Sequence, residues 1–263
     1  MDQSVDISLF ERVLRRDQVV TLIALLIVSL AAWAYILSGI GMGMYSMSMD
    51  DIAMSMTSEW TAPHFTLMLV MWGTMMLAMM LPSAAPMILL FATIERRRRR
   101  HASPFPAVTT FAMSYVIAWM GFSVAATLLQ WQLDRLALLL PTTPSANALL
   151  AAIILIVVGL YQFTPLKQAC LRGCRSPLEL IMRYWSRGPF GIGIRHGILC
   201  VGCCWMLVLL LFIGGVMNLV WVGLIAAFIL GEKIAPRVHW LSYGAGAALI
   251  SSGIWMLYAG THT

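Results

Sequence analysis

Long apolar runs separated by short polar connections dominate the pattern of this chain. A helix needs about 20 apolar residues to cross the hydrocarbon core of a bilayer. Seven runs reach or approach that length, at about residues 19–40, 64–94, 106–129, 146–165, 192–213, 216–230 and 240–258. The pattern therefore predicts an all-α fold, a polytopic transmembrane helix bundle of about seven spans.

The polar connections divide the chain further. We predict that residues 1–18 form a polar N-terminal segment on the membrane surface. Residues 19–260 are expected to form a single transmembrane helical domain, with a methionine-rich outer loop at 41–63. The second run contains Pro82 and Pro86, which remove backbone hydrogen bonds, so we expect that helix to kink or unwind there.

Composition and charge agree with this class. With 60% hydrophobic and 11% charged residues, the chain has too few charges to cover a water-soluble globule. With seven spans and a cytoplasmic N-terminus, every lysine and arginine except Arg135 falls on the cytoplasmic side, as the positive-inside rule requires. The net charge of +6 is thus explained by topology, and no nucleic-acid partner is expected. We predict a multi-pass protein of the bacterial cytoplasmic (inner) membrane with its C-terminus outside.

A histidine and three cysteines recur at helical spacing in the fifth run, as His196, Cys200, Cys203 and Cys204. On a helix these side chains share a face about 100° wide. Thiolates and an imidazole that face the inside of a bundle are suited to a soft metal ion. Buried cysteines also serve as small hydrophobic packing residues, and that alternative stands beside the metal site.

A second pair of cysteines, Cys170 and Cys174, lies four residues apart where the fourth run meets a cytoplasmic loop. We predict that this pair comes within roughly 10 Å of Cys200, with Met79 or Met80 beside the same site, because metal–sulfur bonds are only ~2.3 Å long. Such a sulfur-rich site favours Cu(I), with zinc in a four-cysteine cage as the second choice. A disulfide is not expected in the reducing cytoplasm.

A column of methionines follows the second span. Met71, Met75 and Met79 share one helical face, and Met80 lies on the adjacent face. Thioethers are soft, neutral ligands suited to Cu(I), although methionine is also a flexible packing residue. The outer loop holds six more methionines, which predict either metal capture or a segment that lies on the membrane surface.

Glu232 and Lys233 end the sixth run at about the depth of the cysteines. Charges at the end of a span usually extend to the interface. The functional alternative is that Glu232 turns inward as a metal ligand or proton carrier, with Lys233 as its partner.

Segments 71–86, 161–177 and 197–205, followed by the Glu232-Lys233 pair, carry a resemblance. They resemble an uncharacterised bacterial family described as predicted metal-binding integral membrane proteins, a domain of unknown function. The resemblance implies a shared membrane fold and a metal role for these residues. It brings no established activity with it.

Three hypotheses follow. The first is a protein that handles Cu(I), by transport or delivery across or into the membrane, with a metal-delivery partner or a second copy of the chain as possible associates. The second is a membrane enzyme or assembly subunit with a fixed metal centre, for which Glu232 and His196 are the candidates. The third is a structural membrane partner whose cysteines bind no metal.

Overall fold

The computed structural model of this chain describes residues 2–38, 60–98, 103–135, 144–214, 218–234 and 239–262. Helices account for nearly all of these residues, and no strand occurs among them, which confirms the predicted all-α class. The helices are α1 (Asp2–Leu37), α2 (Ala62–Arg98), α3 (Phe105–Arg135), α4 (Pro144–Gln162), α5 (Pro165–Arg175), α6 (Pro177–Arg183), α7 (Gly188–Leu209), α8 (Leu211–Gly214), α9 (Leu219–Ile234) and α10 (His239–His262), with a short 3-10 turn at Trp185–Arg187.

Four segments of the described chain are long and apolar enough to cross a membrane, namely Arg16–Leu37, Ala62–Arg98, Phe105–Arg135 and Trp185–Gly214. Helices α4 and α5 form a fifth candidate, a pair bent by 61° at the break between them. Helix α9 has only 16 residues, and α10, with 24, is not among these candidates. The seven spans and the direction of insertion therefore stay predictions.

One boundary differs from the sequence-based expectation. Helix α1 begins at Asp2 and runs without interruption into the first apolar stretch, so the predicted N-terminal segment and first span form one helix. Most of the predicted outer loop at 41–63, with its six methionines, falls outside the described part of the chain.

Helix α2 stays continuous through Pro82 and Pro86, so it does not unwind there, and the kink stays a prediction. Because Pro82 has no N–H, the carbonyl of Ala78 lacks its usual donor in the helix. Helix α1 supplies the replacement: the Trp33 indole N–H donates to this carbonyl at 3.2 Å and the Ser29 hydroxyl at 3.4 Å. An unpaired carbonyl in an apolar environment costs several kcal/mol, so the proline fixes where α1 docks on α2.

Glycines allow α3 and α7 to approach closely. A Cβ built on Gly193 would lie 2.0 Å from the Ser114 hydroxyl and 2.3 Å from the Phe111 carbonyl, and one on Gly197 would lie 2.5 Å from Ala118. Two glycines four residues apart are the small-residue pattern by which membrane helices bring their backbones together. This contact presses the histidine and cysteine face of α7 against α3.

A second glycine contact joins α4 to α10. A Cβ on Gly159 would lie 2.8 Å from the Gly246 carbonyl, and one on Gly253 would lie 2.9 Å from the Ala152 carbonyl. Helix α4 is thereby held by α10, while α5 turns away from it and packs on α7.

We expect Gly193→Ala to lower the stability of the protein by about 1–3 kcal/mol, because a methyl group at this position forces α3 and α7 apart. Gly121→Ala on α3 is the matched control, since a Cβ there meets nothing within 4 Å. The control should be neutral or stabilising by up to ~1 kcal/mol through helix propensity. Thermal unfolding in detergent compares the two variants, and equal midpoints would contradict the tight contact.

Candidate metal centre

The predicted face of α7 is buried. His196 is 3% exposed, and Cys200, Cys203 and Cys204 are each at most 2% exposed. The glycine contact with α3 contributes to this burial, because it brings the backbones of α3 and α7 together. The four side chains do share one face, as the helical spacing predicts.

Cys200 is the polar centre of the face. Its sulfur accepts a hydrogen bond from the Lys233 ammonium at 2.8 Å and lies 3.1 Å from the Tyr115 hydroxyl. Its carbonyl accepts the thiols of Cys203 and Cys204, at 3.1 and 2.8 Å. Helices α3, α7 and α9 therefore meet at this one residue.

Two further hydrogen bonds tie the partners of Cys200 to α2. The Tyr115 hydroxyl also donates to the Met80 carbonyl on α2, at 3.1 Å. The Lys233 ammonium also donates to the Ser83 hydroxyl, at 2.8 Å. Helix α2 therefore borders the site through its backbone and a serine, one turn from its prolines.

Helix α5 brings the second cysteine pair to α7. The sulfurs of Cys174 and Cys203 lie 4.0 Å apart, which confirms for Cys174 the predicted approach of the two groups. Cys170 packs against Gly202, where a Cβ would lie 2.8 Å from its sulfur. Glycine at this position is what lets α5 lie so close to α7.

The geometry of α5 is set at its first turn. The Thr164 side chain caps the helix by accepting the Lys167 N–H at 3.3 Å, and Pro165 occupies the first helical position. Just before the break, the Tyr161 hydroxyl donates to the Gly202 carbonyl at 2.5 Å. The bend and this bond direct the cysteine-bearing helix across α7.

Glu232 is buried at 2% exposure, and its partner is not Lys233, the one predicted for an inward-facing Glu232. The fully buried ammonium of Lys167 on α5 donates to both carboxylate oxygens, at 2.7 and 3.0 Å, and also to the Gln162 side chain. The Ser242 hydroxyl of α10 donates to the same carboxylate at 2.5 Å. Glu232 thus joins α5, α9 and α10, while Lys233 turns to Cys200.

His196 lies against two aromatic rings of α3, with ring centroids 5.4 Å from Tyr115 and 6.3 Å from Phe111. Its Nδ1 is buried and has no hydrogen-bond partner among the described residues. A buried, unpaired ring nitrogen one helical turn from Cys200 is compatible with a role as a ligand, which stays a prediction.

The methionine column of α2 lies mostly in the core. Met75, Met79 and Met80 are buried, and Met71 is partly buried against the same cluster as the cysteines. Nearer the start of α2, the Gln130 side chain donates to the Met68 sulfur at 3.8 Å. Packing and metal binding both account for this burial, so the ligand role of the column stays a prediction.

Within the described ranges, no three side chains of His, Cys, Asp or Glu converge as a ready cage for a metal ion. The structure instead brings the Cys174 thiol close to that of Cys203, beside Cys200, whose sulfur is held by a lysine. Such a pair suits a soft ion that accepts few anionic ligands better than it suits a four-cysteine zinc cage.

Sequence reasoning missed Tyr115, Ser83 and Lys167, which stand in no motif of metal ligands. One signal was present: the chain has only two lysines, Lys167 and Lys233, and arginine supplies the other 15 basic residues. Both lysines bond groups of this site, whereas every arginine except Arg135 marks the predicted cytoplasmic surface.

Residues 69–256, more than two thirds of the chain, match the model of a protein family named PpoB2 and described as a copper chaperone. The matched range includes every cysteine and both lysines. No curated protein and no solved structure matches the chain.

We expect oxidation with diamide to join Cys174 to Cys203, because their sulfurs need to close from 4.0 Å to the ~2.05 Å of a disulfide. Peptide mass spectrometry after digestion identifies the bridge. Cys170→Ser should keep the bridge and Cys174→Ser should lose it. A bridge formed mainly by Cys170 would contradict the arrangement.

Lys167→Met should destabilise the protein by about 3–5 kcal/mol, because it leaves the Glu232 carboxylate buried and unpaired. Adding Glu232→Leu should recover most of that loss, since an apolar pair of similar volume is often as stable as a buried ion pair. Chemical unfolding in detergent measures both variants. A double variant no more stable than the single one would show that the two charges do not act as a pair.

Proposed function

The chain belongs to the PpoB2 copper chaperone family, and from this premise we propose that it is a membrane protein that binds Cu(I) through buried thiols and passes it on. The copper role comes from the family, and the apolar helices place the chain among membrane proteins. The ligands, the oxidation state of copper and the direction of transfer are our proposal.

The observation that carries the proposal is the 4.0 Å distance between the sulfurs of Cys174 and Cys203. With metal–sulfur bonds of ~2.3 Å, an ion held by both sulfurs at this separation would have a bent arrangement of about 120°. A third position then remains for a neutral donor. Met79, Met80 and the unpaired nitrogen of His196 are the candidates.

Cu(I) suits this donor set better than zinc does. Two thiolates with a thioether or imidazole form a soft site of low coordination number, whereas structural zinc takes four ligands in a tetrahedral cage. Cys200 and Cys204 are the ligands to which copper would pass when it leaves Cys203, since all three are buried on the same face of α7. Cys170 lies one turn from Cys174 against Gly202, and we assign it a packing role.

The placement of soft ligands suggests a direction. The methionine column of α2 leads from the predicted outer side toward the thiols, and thiolates hold Cu(I) more tightly than neutral thioethers do. Copper entering along Met71, Met75 and Met79 would therefore move toward the cysteines. With the predicted cytoplasmic N-terminus, that path runs inward through the bacterial inner membrane.

We expect the wild-type protein, purified anaerobically and loaded with Cu(I), to retain about one copper ion per chain, the number that a single close thiol pair holds. Cys174→Ser and Cys203→Ser should each lower the affinity for Cu(I) by at least about tenfold, because each removes one of two anionic ligands. Competition with a chromophoric Cu(I) chelator measures the affinity. Cys170→Ser is the matched control and should bind as the wild type does.

Wild-type affinity in both Cys174→Ser and Cys203→Ser would contradict the proposed site. A second measurement distinguishes transport of copper across the membrane from delivery of copper to another protein. In sealed proteoliposomes, copper that enters the lumen shows transport, while copper that leaves the protein only when an apo acceptor is added shows delivery.

A further inference from the structure

Three guanidinium groups gather around one aromatic ring just before α7. The guanidinium carbons of Arg183, Arg187 and Arg195 lie 6.0, 5.4 and 5.5 Å from the centre of the Tyr184 ring. No two of these carbons can be more than about 12 Å apart, twice the longest of the three distances, which is comparable to the ~10 Å screening length at 0.1 M salt. The three charges therefore act together, and we call these residues the Tyr184 arginine cluster.

No carboxylate neutralises this cluster within the described part of the chain. From residue 172 to residue 195 the sequence has five arginines and a single acidic residue, Glu179. The ion pairs among the described residues include none for the three arginines of the cluster, and all three are exposed. By contrast Arg98, which lies over the neighbouring Trp185 ring at 5.3 Å, has the Glu95 carboxylate at 3.9 Å. The cluster is thus a concentration of positive charge that an external anion could balance.

The cluster lies beside a surface that faces the bilayer. Arg195 is about two turns into α7, within the candidate membrane span Trp185–Gly214, and Ile198, one turn further on the same side, is 52% exposed. Phe190 and Met182 are also exposed, at 52% and 67%. Because the Arg195 guanidinium contacts Tyr184, which directly precedes the span, its side chain extends toward the end of the span. Arginines of membrane helices reach the level of the lipid headgroups in this way.

We propose that the Tyr184 arginine cluster binds the phosphate group of an anionic phospholipid, whose acyl chains lie against Met182, Phe190 and Ile198. A guanidinium group can donate paired hydrogen bonds to phosphate oxygens while its plane stacks on an aromatic ring. Basic residues at the cytoplasmic ends of membrane helices attract anionic headgroups. The inference goes beyond the proposed function, since it involves neither the thiols nor copper.

The surroundings favour a lipid over the other anions that arginines bind. An acidic segment of another protein would have to bring its carboxylates against apolar side chains of a membrane span, where they would lose hydration. A free phosphate ion would contact the arginines and leave the apolar surface uncovered. A phospholipid satisfies both parts, because its phosphate and its acyl chains are joined in one molecule.

Native mass spectrometry of the delipidated protein in a neutral detergent tests this without any substitution. Phosphatidylglycerol and phosphatidylcholine with the same acyl chains are titrated separately. We expect phosphatidylglycerol to bind at least about tenfold more tightly, because only this lipid has a net negative charge. Inorganic phosphate at the same concentration as the lipid should not displace it.

Substitutions locate the site. Arg187→Gln and Arg195→Gln should each lower the affinity for phosphatidylglycerol by about fivefold, the equivalent of ~1 kcal/mol for each arginine near a membrane surface. Arg135→Gln is the matched control, since Arg135 is also exposed and stacks on a ring, Trp131 at 5.1 Å, but does so alone. It should bind phosphatidylglycerol as the wild type does.

Tyr184→Leu distinguishes a defined site from a diffuse positive potential, because it keeps every charge and removes the ring that gathers them. We expect it to lower the affinity for phosphatidylglycerol by about two- to fivefold, the range of a cation–π contact at an exposed position. Wild-type affinity in this variant, or an equal loss in Arg135→Gln and Arg195→Gln, would leave only overall charge and overturn the site.

Three results of the wild-type titrations complete the test. Equal binding of the two lipids would overturn the proposal, and displacement by inorganic phosphate would identify a site for free anions instead. A protein that retains phosphatidylglycerol through the cluster but binds no Cu(I) would support this inference and contradict only the proposed function.

Discussion

In an apolar environment, each polar group must find its partner within the protein, and this constraint organises the structure. The Ala78 carbonyl that Pro82 leaves without a donor is bonded by α1. The buried Lys167 ammonium is matched by Glu232, and the Cys200 sulfur is bonded by Lys233. Where the helices lack polar groups, glycines bring their backbones together instead. The positions of the helices thus follow from a small number of specific contacts, because lipid offers no alternative partner.

The last turn of α9 connects the two halves of the site. Glu232 bonds the helix that carries Cys174, and Lys233 bonds the helix face that carries Cys203. Since both residues belong to one helical turn, the relative position of α5 and α7 is fixed by α9 as well as by their own contact. The same turn therefore bonds both helices that carry the thiol pair and places a positive charge beside Cys200.

Much of the site could be predicted because its signals are local. The spacing of His196, Cys200, Cys203 and Cys204 determines that they share a helical face, whatever that face packs against. The partners of single polar groups could not be predicted in this way. The sequence suggests the neighbouring Lys233 as the partner of an inward-facing Glu232, but the fold brings Lys167 to it from 65 residues away. The effect of Pro82 also involves another helix, since the donors to the freed Ala78 carbonyl come from α1.

The break between α4 and α5 has a mechanical consequence. Helix α5 is 11 residues long, and Lys167, its bond to α9, lies near the break, whereas Cys174 lies at the far end. The distance from Thr164 to Cys174 along the helix is ~15 Å at the standard rise, so a rotation of about 4° at the break moves the thiol by ~1 Å. A small tilt of this short lever would change the gap between the sulfurs while the α3–α7 contact and the Lys167 anchor stay in place. The distance between the two sulfurs is therefore sensitive to the angle of the bend between α4 and α5.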